Sequence, residues 1–371
     1  MKQIVVIGAG KVGSTIADML ALTGDYDVTV VDMGEAQIAA LQVCARVKTA
    51  VIDVRDEQAL AALLDGKYAV LSAAPYQLTV AIAQAAASAG VHYFDLTEDV
   101  ASTRAVKALA AGSANAFMPQ CGLAPGFISI VAHDMAKGFD TLDAINLRVG
   151  ALPRYPNNAL GYNLTWSTDG MINECCEPCE AIVNGSPAEV PPLQEIEQII
   201  VDGVTYEAFN TSGGLGTLCE TYGGRVQNLN YRTIRYPGHA AAMKLLLQDL
   251  KLRDRRDLLK EILETAIPAT LQDVIVIYVT VTGHKAGRLI QETYTRQIFG
   301  GRIGTLHRSA IQITTAAGIC AALDLQAQGV LPKSGFVRQE DVALSAFLGN
   351  RFGQVYADLP PALGPSVTAA A

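Results

Sequence analysis

Along the first third of the chain, short β-branched runs alternate with Ala- and Leu-rich stretches whose apolar residues recur at helical spacing. The runs predict strands at residues 3–7, 28–31, 50–53, 68–72, 92–96 and 116–119. The stretches between them predict helices near 12–22, 35–45, 57–64, 79–89 and 101–111. Strands alternating with helices through short connections imply an α/β fold, a doubly wound parallel sheet with right-handed crossovers. After Pro125 the alternation gives way to frequent Gly, Pro, Asn and Asp, and a second domain of α+β type is expected there. Its predicted strands are 144–149, 274–281 and 289–298, the last two joined by a glycine-containing hairpin loop at 283–287. A helix at 309–328, stopped by Gly329 and Pro332, is expected to pack back on the first domain. The expected organisation is therefore a dinucleotide-binding unit of residues 1–125 and 305–358, a substrate and dimerisation unit of 126–304, and a disordered tail at 359–371.

Half of the 371 residues are apolar, enough for two domains that each bury a core. The net charge of −8 argues against nucleic acid or an anionic membrane as partner, since both are bound by clustered Lys and Arg. The opening MKQIVVIGAGK enters a strand directly and carries no secretory-signal pattern. The strong apolar runs break well short of the roughly 18 residues that span a bilayer. A cytoplasmic protein is expected, and seven scattered cysteines fit reduced thiols better than a disulfide framework.

Gly8-Ala9-Gly10-Lys11-Val12-Gly13 follows a predicted strand and opens a predicted helix, the context that makes this glycine pattern a dinucleotide fingerprint. Gly8 permits the tight turn, Gly10 admits the pyrophosphate, and Gly13 lets helix and strand approach. The helix N-terminus offers the phosphates free N–H groups and a partial positive charge. Asp32 ends the second strand about twenty residues on, where a carboxylate receives the adenosine ribose hydroxyls and repels a 2′-phosphate. Met33 and Gly34 supply no cation for that phosphate, so NAD is the expected cofactor. Other candidates stand at strand ends: Asp53 and Val54 toward the adenine, with Asp53 equally readable as a helix cap, Ala73 and Ala74 toward the nicotinamide, then Asp95 and Thr97.

GAGKVG, SAAPY (72–76), HYFDLTED (92–99), GLAPG (122–126), NNALGYNLTWS (157–167), IRYPGH (234–239) and LPKSGFVRQEDV (331–342), in this order, resemble the saccharopine dehydrogenase family, which includes the lysine 6-dehydrogenases. The resemblance implies a homodimeric two-domain enzyme whose Rossmann domain is completed by a C-terminal segment. The implied reaction is NAD-dependent cleavage of saccharopine to glutamate and 2-aminoadipate semialdehyde. Asn157, Asn158, Leu160, Tyr162 and Trp166 are closer to saccharopine dehydrogenases, whereas TSGG (211–214) and IRYPGH resemble lysine 6-dehydrogenases. Oxidation of lysine, reduction of an imine as in carboxynorspermidine synthesis, and NAD sensing without turnover stay open as alternatives.

Oxidising an amine requires a base to keep the nitrogen neutral. Asp95 is the first candidate and matches a carboxylate position of the lysine 6-dehydrogenases; His239, after a Pro-Gly turn, is the second. Three substrate carboxylates call for arginines. Arg235 best matches the family's substrate arginine, with Arg148, Arg154, Arg225 and Arg232 as alternatives. Trp166 reads as a pocket aromatic or a core anchor, Tyr76 and Gly122 as substrate contacts, and Cys121 as a neighbour of the nicotinamide or a buried thiol. The cysteines at 175, 176 and 179 lack the second pair of a structural zinc site, so no metal is expected.

Overall fold

The computed structural model describes residues 1–357; the expected disordered tail lies outside the described residues. The first unit runs β1 (Lys2–Ile7), α1 (Lys11–Thr23), β2 (Tyr26–Asp32), α2 (Glu35–Ala39), β3 (Lys48–Val51), α3 (Glu57–Leu64), β4 (Ala69–Ser72), α4 (Thr79–Ala89), β5 (His92–Asp95), α5 (Val100–Ala110) and β6 (Ala116–Met118). All these strands are parallel, in the spatial order β6-β5-β4-β1-β2-β3. The order reverses at β1, so a crevice opens beyond the carboxyl ends of β1 and β4. Helix α2 stops short of the expected 35–45. The chain turns away instead, and the Cys44 N–H donates to buried Asp18 of α1 at 2.7 Å.

The second unit contains α6 (Phe127–Ala136), β7 (Thr141–Pro153), α7 (Thr168–Glu174), the hairpin β8 (Cys179–Val183) and β9 (Ser186–Val190), β10 (Glu197–Val201), β11 (Val204–Asn210), α8 (Leu218–Tyr222), β12 (Val226–Arg235), α9 (His239–Lys244), α10 (Arg256–Ala266), β13 (Asp273–Lys285) and β14 (Arg288–Phe299). Its mixed sheet has the order β10-β11-β12-β7-β13-β14, with β8 pairing onto β12. Central β7 is twice as long as its predicted core because it pairs with β12 on one side and β13 on the other. The β13–β14 loop is tighter than expected. Lys285 pairs with Arg288, leaving Ala286 and Gly287, both at positive φ, as a two-residue turn that suits the twist of the strands. Gly283 serves a register shift, where a Cβ would run into the Thr141 carbonyl.

After a small hairpin, β15 (Gly301–Ile303) and β16 (Leu306–Arg308), the chain forms α11 (Ala310–Ala327), and β17 (Gly335–Phe336) then adds to the parallel sheet beside β6. Ser309 and Gln312 close a capping box at the start of α11, and the Asp273 carboxylate of β13 accepts from the Ala310 and Ile311 N–H groups. The sequence places α11 against the first unit. It packs there on α1, but it also contacts β13 and β14 of the second sheet. Apolar on every side, it serves both. By length and composition it could cross a membrane, yet it is buried among the protein's own elements.

One apolar core follows from this: Ile16 and Leu20 of α1, Ile128 and Val131 of α6, Ile145, Leu147, Ile277 and Val279 of the second sheet, and Ile319 and Leu323 of α11 form a continuous cluster. A second cluster, with Leu60, Ile82 and Val106, covers the other face of the parallel sheet. Gly318 lets α11 close on the chain after β6. A Cβ there would stand 2.5 Å from the Cys121 carbonyl oxygen and 2.8 Å from that of Gly122. Gly318→Ala is therefore expected to destabilise the protein by about 1–3 kcal/mol, the usual cost of overpacking, read as a lower urea midpoint. An unchanged midpoint would show that the helix can shift at no cost.

Candidate active site

Strand register sets the floor of the crevice. Ile7 is level with Val31 and Ser72, and Ser72 with Asp95, so Gly8, Asp32, Ala73 and Leu96 leave the sheet along one line. Gly8 has φ +104°, and a Cβ on it would stand 2.7 Å from the Ala73 carbonyl oxygen. Gly13 packs so closely on the Gly8 carbonyl that no side chain fits there, whereas a Cβ on Gly10 would meet no protein atom within 4 Å. Gly10 thus faces open space in front of α1, which has no side-chain cap on its first-turn N–H groups. Lys11 is exposed beside it and Val12 borders the cleft. Asp32 is oriented by the loop: one carboxylate oxygen accepts from the Ala9 N–H at 2.9 Å, the other from the Gly34 N–H at 3.0 Å. Lone pairs remain on both oxygens for ribose hydroxyls. These features fit a dinucleotide, whose pyrophosphate would lie over Gly10 and α1 and whose ribose would meet Asp32.

From this cradle a cleft continues between the two sheets. Ala73, Ala74, Pro75 and Tyr76 form one wall with Thr97 and Glu98; the 122–125 turn, in which the Ala124–Pro125 peptide is cis, forms another. The second sheet contributes alternate residues, Tyr231, Thr233 and Arg235 of β12 and Val149 and Ala151 of β7, because side chains two apart share a face. Trp166, Asp169, Gly170 and Glu174 complete it, with Ser167 capping α7 through the Gly170 N–H. Ile311 and Thr315 of α11 close the base.

The ionic character of the cleft is uneven. Arg235 is buried, lies over the Tyr162 ring and pairs with Glu174 at 3.2 Å; its Nε–H has no acceptor among the described residues. Burial pushes the Glu174 carboxyl up to about 7 despite the opposing charge of Arg235. Burial likewise raises Glu98 to about 7, helped by the charges of Asp99 and Asp95. Both carboxyls sit near the middle of the neutral pH range, where a proton is readily taken or given.

Residues 4–116 match the family pattern described as saccharopine dehydrogenase NADP binding domain, and residues 122–350 that described as saccharopine dehydrogenase C-terminal domain. The chain belongs to the saccharopine dehydrogenase family. This is a family of oxidoreductases, and its first domain binds a nicotinamide dinucleotide. Among curated relatives, the mitochondrial alpha-aminoadipic semialdehyde synthase of Rattus norvegicus is 22% identical over 254 residues, 65% of this chain and 27% of that one. The saccharopine dehydrogenase (NADP(+), L-glutamate-forming) of Saccharomyces cerevisiae is 25% identical over 183 residues, 46% of this chain and 40% of that one. The matches thus span less than half the length of these relatives. Of solved structures, apo saccharopine dehydrogenase (L-Glu forming) from Saccharomyces cerevisiae superposes with a TM-score of 0.76 at 18% identity, covering 94% of this chain and 97% of that one. A homospermidine synthase from Legionella pneumophila in complex with NAD gives 0.67 at 14% identity, covering 96% and 89%. At such identities the likeness is one of fold.

Within this saccharopine dehydrogenase fold, several residues singled out from sequence stand elsewhere than expected. Asp95 is buried below the cleft, and its carboxylate accepts from the Tyr93 hydroxyl at 2.8 Å, the Thr97 N–H at 3.0 Å and the Gln120 N–H at 2.9 Å. It ties β5 to the chain after β6 and does not border the cleft, so the role of base does not suit it. His239 is also buried outside the cleft, between the Tyr162 and Phe209 rings, with Nδ1 2.9 Å from the Leu160 carbonyl oxygen. Burial, then the charge of Arg235, lowers it to about 3, and it stays neutral at working pH. Cys121 points away from the cleft toward the Met118 carbonyl and receives the Gln339 amide; burial pushes its thiol well up. Asp53 neither caps α3, a task taken by Asp56, nor stands free: the Arg55 guanidinium holds it down to about 2. Val54 is buried beside it. Tyr76, Thr97, Gly122, Trp166 and Arg235 do meet in the cleft, with Ala73 and Ala74.

Glu98 and Glu174 were missed. Glu98 lies within the HYFDLTED motif but three residues beyond the strand end that marks Asp95; Glu174 sits in a helix that nothing in the sequence brings to Arg235. Gly10→Ala is expected to weaken NADH binding by roughly tenfold, about 1.4 kcal/mol, without loss of fold, because the added methyl enters only the dinucleotide's space. Fluorescence titration beside circular dichroism checks this. Unchanged affinity would place the pyrophosphate elsewhere.

Proposed function

We propose that this protein is an NAD-dependent dehydrogenase that oxidises the side-chain carbon–nitrogen bond of an amino acid with a single carboxylate, L-lysine being the type substrate. The observation that supports it is the charge lining the cleft. Arg235 is the one cationic residue bordering it among the described residues, against Glu98, Asp169 and Glu174. The other four arginines considered for substrate are engaged elsewhere: Arg148 and Arg232 pair with Glu197, and Arg154 and Arg225 lie over aromatic rings. One arginine bordering the cleft matches one carboxylate, and the acidic wall with Trp166 suits ammonium groups. A substrate with three carboxylates would meet three acidic side chains here.

NAD is supported by Asp32, which would repel a 2′-phosphate. The nearby cation Arg55, whose guanidinium lies 3.9 Å from Met33 Sδ, is already paired with Asp53. When bound, the nicotinamide accepts hydride from the carbon next to nitrogen. The protein's share is to anchor the carboxylate on Arg235, to lay the alkyl chain against Val149, Ala151 and Trp166, and to hold the amine beside a carboxyl. Cleavage of saccharopine is a second reading, favoured by the names of the relatives in the same family.

Absorbance of NADH, with ammonia and glutamate measured in parallel, separates the two. L-lysine with NAD is expected to give one ammonia per NADH, and NADP to serve at least roughly tenfold less well in kcat/KM. Glutamate release from saccharopine, without reaction of lysine, would replace the first reading by the second.

A further inference from the structure

We infer that Glu98 is the catalytic base that takes the proton from the substrate nitrogen, an assignment that rests on the amine-oxidation reading above. Glu98 follows β5 by three residues and borders the cleft together with Thr97, Ala73 and Ala74 on the side where the nicotinamide would lie. Its backbone is clamped by Gly213, where a Cβ would stand 2.6 Å from the Glu98 carbonyl oxygen. Its side chain reaches α7: a Cβ on Gly170 would stand 3.1 Å from Oε1 and would also collide with the Trp166 ring. The carboxyl is therefore held beside the aromatic wall that suits an ammonium.

Each other acidic or basic side chain in reach has a fixed task. Asp95 has its oxygens taken by three donors below the cleft, and Glu174 is tied to Arg235. Asp169 is exposed and pairs with Lys260 at 2.6 Å, and His239 stands outside the cleft. Among the described residues Glu98 makes no ion pair; the hydrogen bond that favours its charged form comes from its own backbone N–H. The charges facing it are Asp95 and Asp99 of its own segment, Glu174 and Asp169 of α7, and Arg235 of β12. Its withdrawal from water, helped by the charges of Asp99 and Asp95, raises it to about 7.

Ionised Glu98 takes one proton from the substrate ammonium and becomes a neutral carboxyl. The carbon–hydrogen bond then breaks, its electron pair leaves as hydride to the oxidised dinucleotide, and the nitrogen lone pair closes the carbon–nitrogen double bond. Water adds to that carbon, and the carbon–nitrogen bond breaks with its pair on nitrogen, releasing ammonium and the aldehyde. The sum is ammonium substrate, NAD and water giving aldehyde, NADH, ammonium and one proton. Because the base acts ionised, kcat/KM is expected to fall as pH drops through about 7.

The test uses the full chain with NAD and lysine. Glu98→Gln is expected to lower kcat at least about 100-fold and to abolish the acidic limb, with NADH affinity unchanged. Glu98→Ala is expected to regain activity when formate is added, which a purely structural role would not allow. If Glu98→Gln keeps the wild-type rate and limb, the assignment falls while the amine reading stands. Loss of activity together with NADH affinity, unrelieved by formate, also overturns it. If the wild-type protein oxidises neither lysine nor saccharopine, the reading itself fails and takes the assignment with it.

Discussion

The contact on which the rest depends is the seat of α11 against the Cys121 and Gly122 carbonyls, a packing that only a residue without a side chain at position 318 allows. Through this seat one buried helix touches both sheets and one edge of the cleft at once. Its N-terminus is held by Asp273 of the second sheet, and near its C-terminus Asp324 receives Tyr26 of β2, Asn350 and Arg351. Hydrophobic burial on all sides supplies the driving force, and these end contacts set the helix's position along its axis. Ile311 and Thr315 then reach the cleft from a fixed direction.

On this frame, solvent and neighbours sort the carboxylates into different tasks. Asp32 keeps lone pairs for a ligand because only one backbone N–H reaches each oxygen. Asp95, at the end of β5, is saturated with donors and acts as a bolt between β5 and the chain after β6. Glu98, three residues on, is left in the cleft with no ion pair among the described residues. The chemistry of an acid here is decided by its partners rather than by its residue type.

Charge complementarity links the two ends of the cleft. At the end bordered by Gly10 one acid, Asp32, is presented and the nearby cation Arg55 is paired with Asp53. At the other end one buried arginine stands among three acids. Repulsion can count for as much as attraction in setting which ligands a site accepts.

The sequence by itself determined the parallel sheet, its order of elements, the glycine cradle and Asp32, because these rest on local periodicity and on backbone demands confined to a few consecutive residues. The quoted motifs, in their order, carried the resemblance to the family. Tertiary structure alone decided which of the candidate residues share a space: Tyr76, Trp166 and Arg235 converge from separate elements, while Asp95, His239 and Cys121 are drawn into hydrogen bonds or ring contacts outside it. The second sheet was only partly legible, since β8 to β12 carry mixed apolar and polar positions that acquire a buried face only through their pairing partners. Glu98 and Glu174 differ in role from the other acids of the chain through burial and through one arginine contributed by a strand some sixty residues away from Glu174, and that juxtaposition exists only once the two sheets have closed on α11.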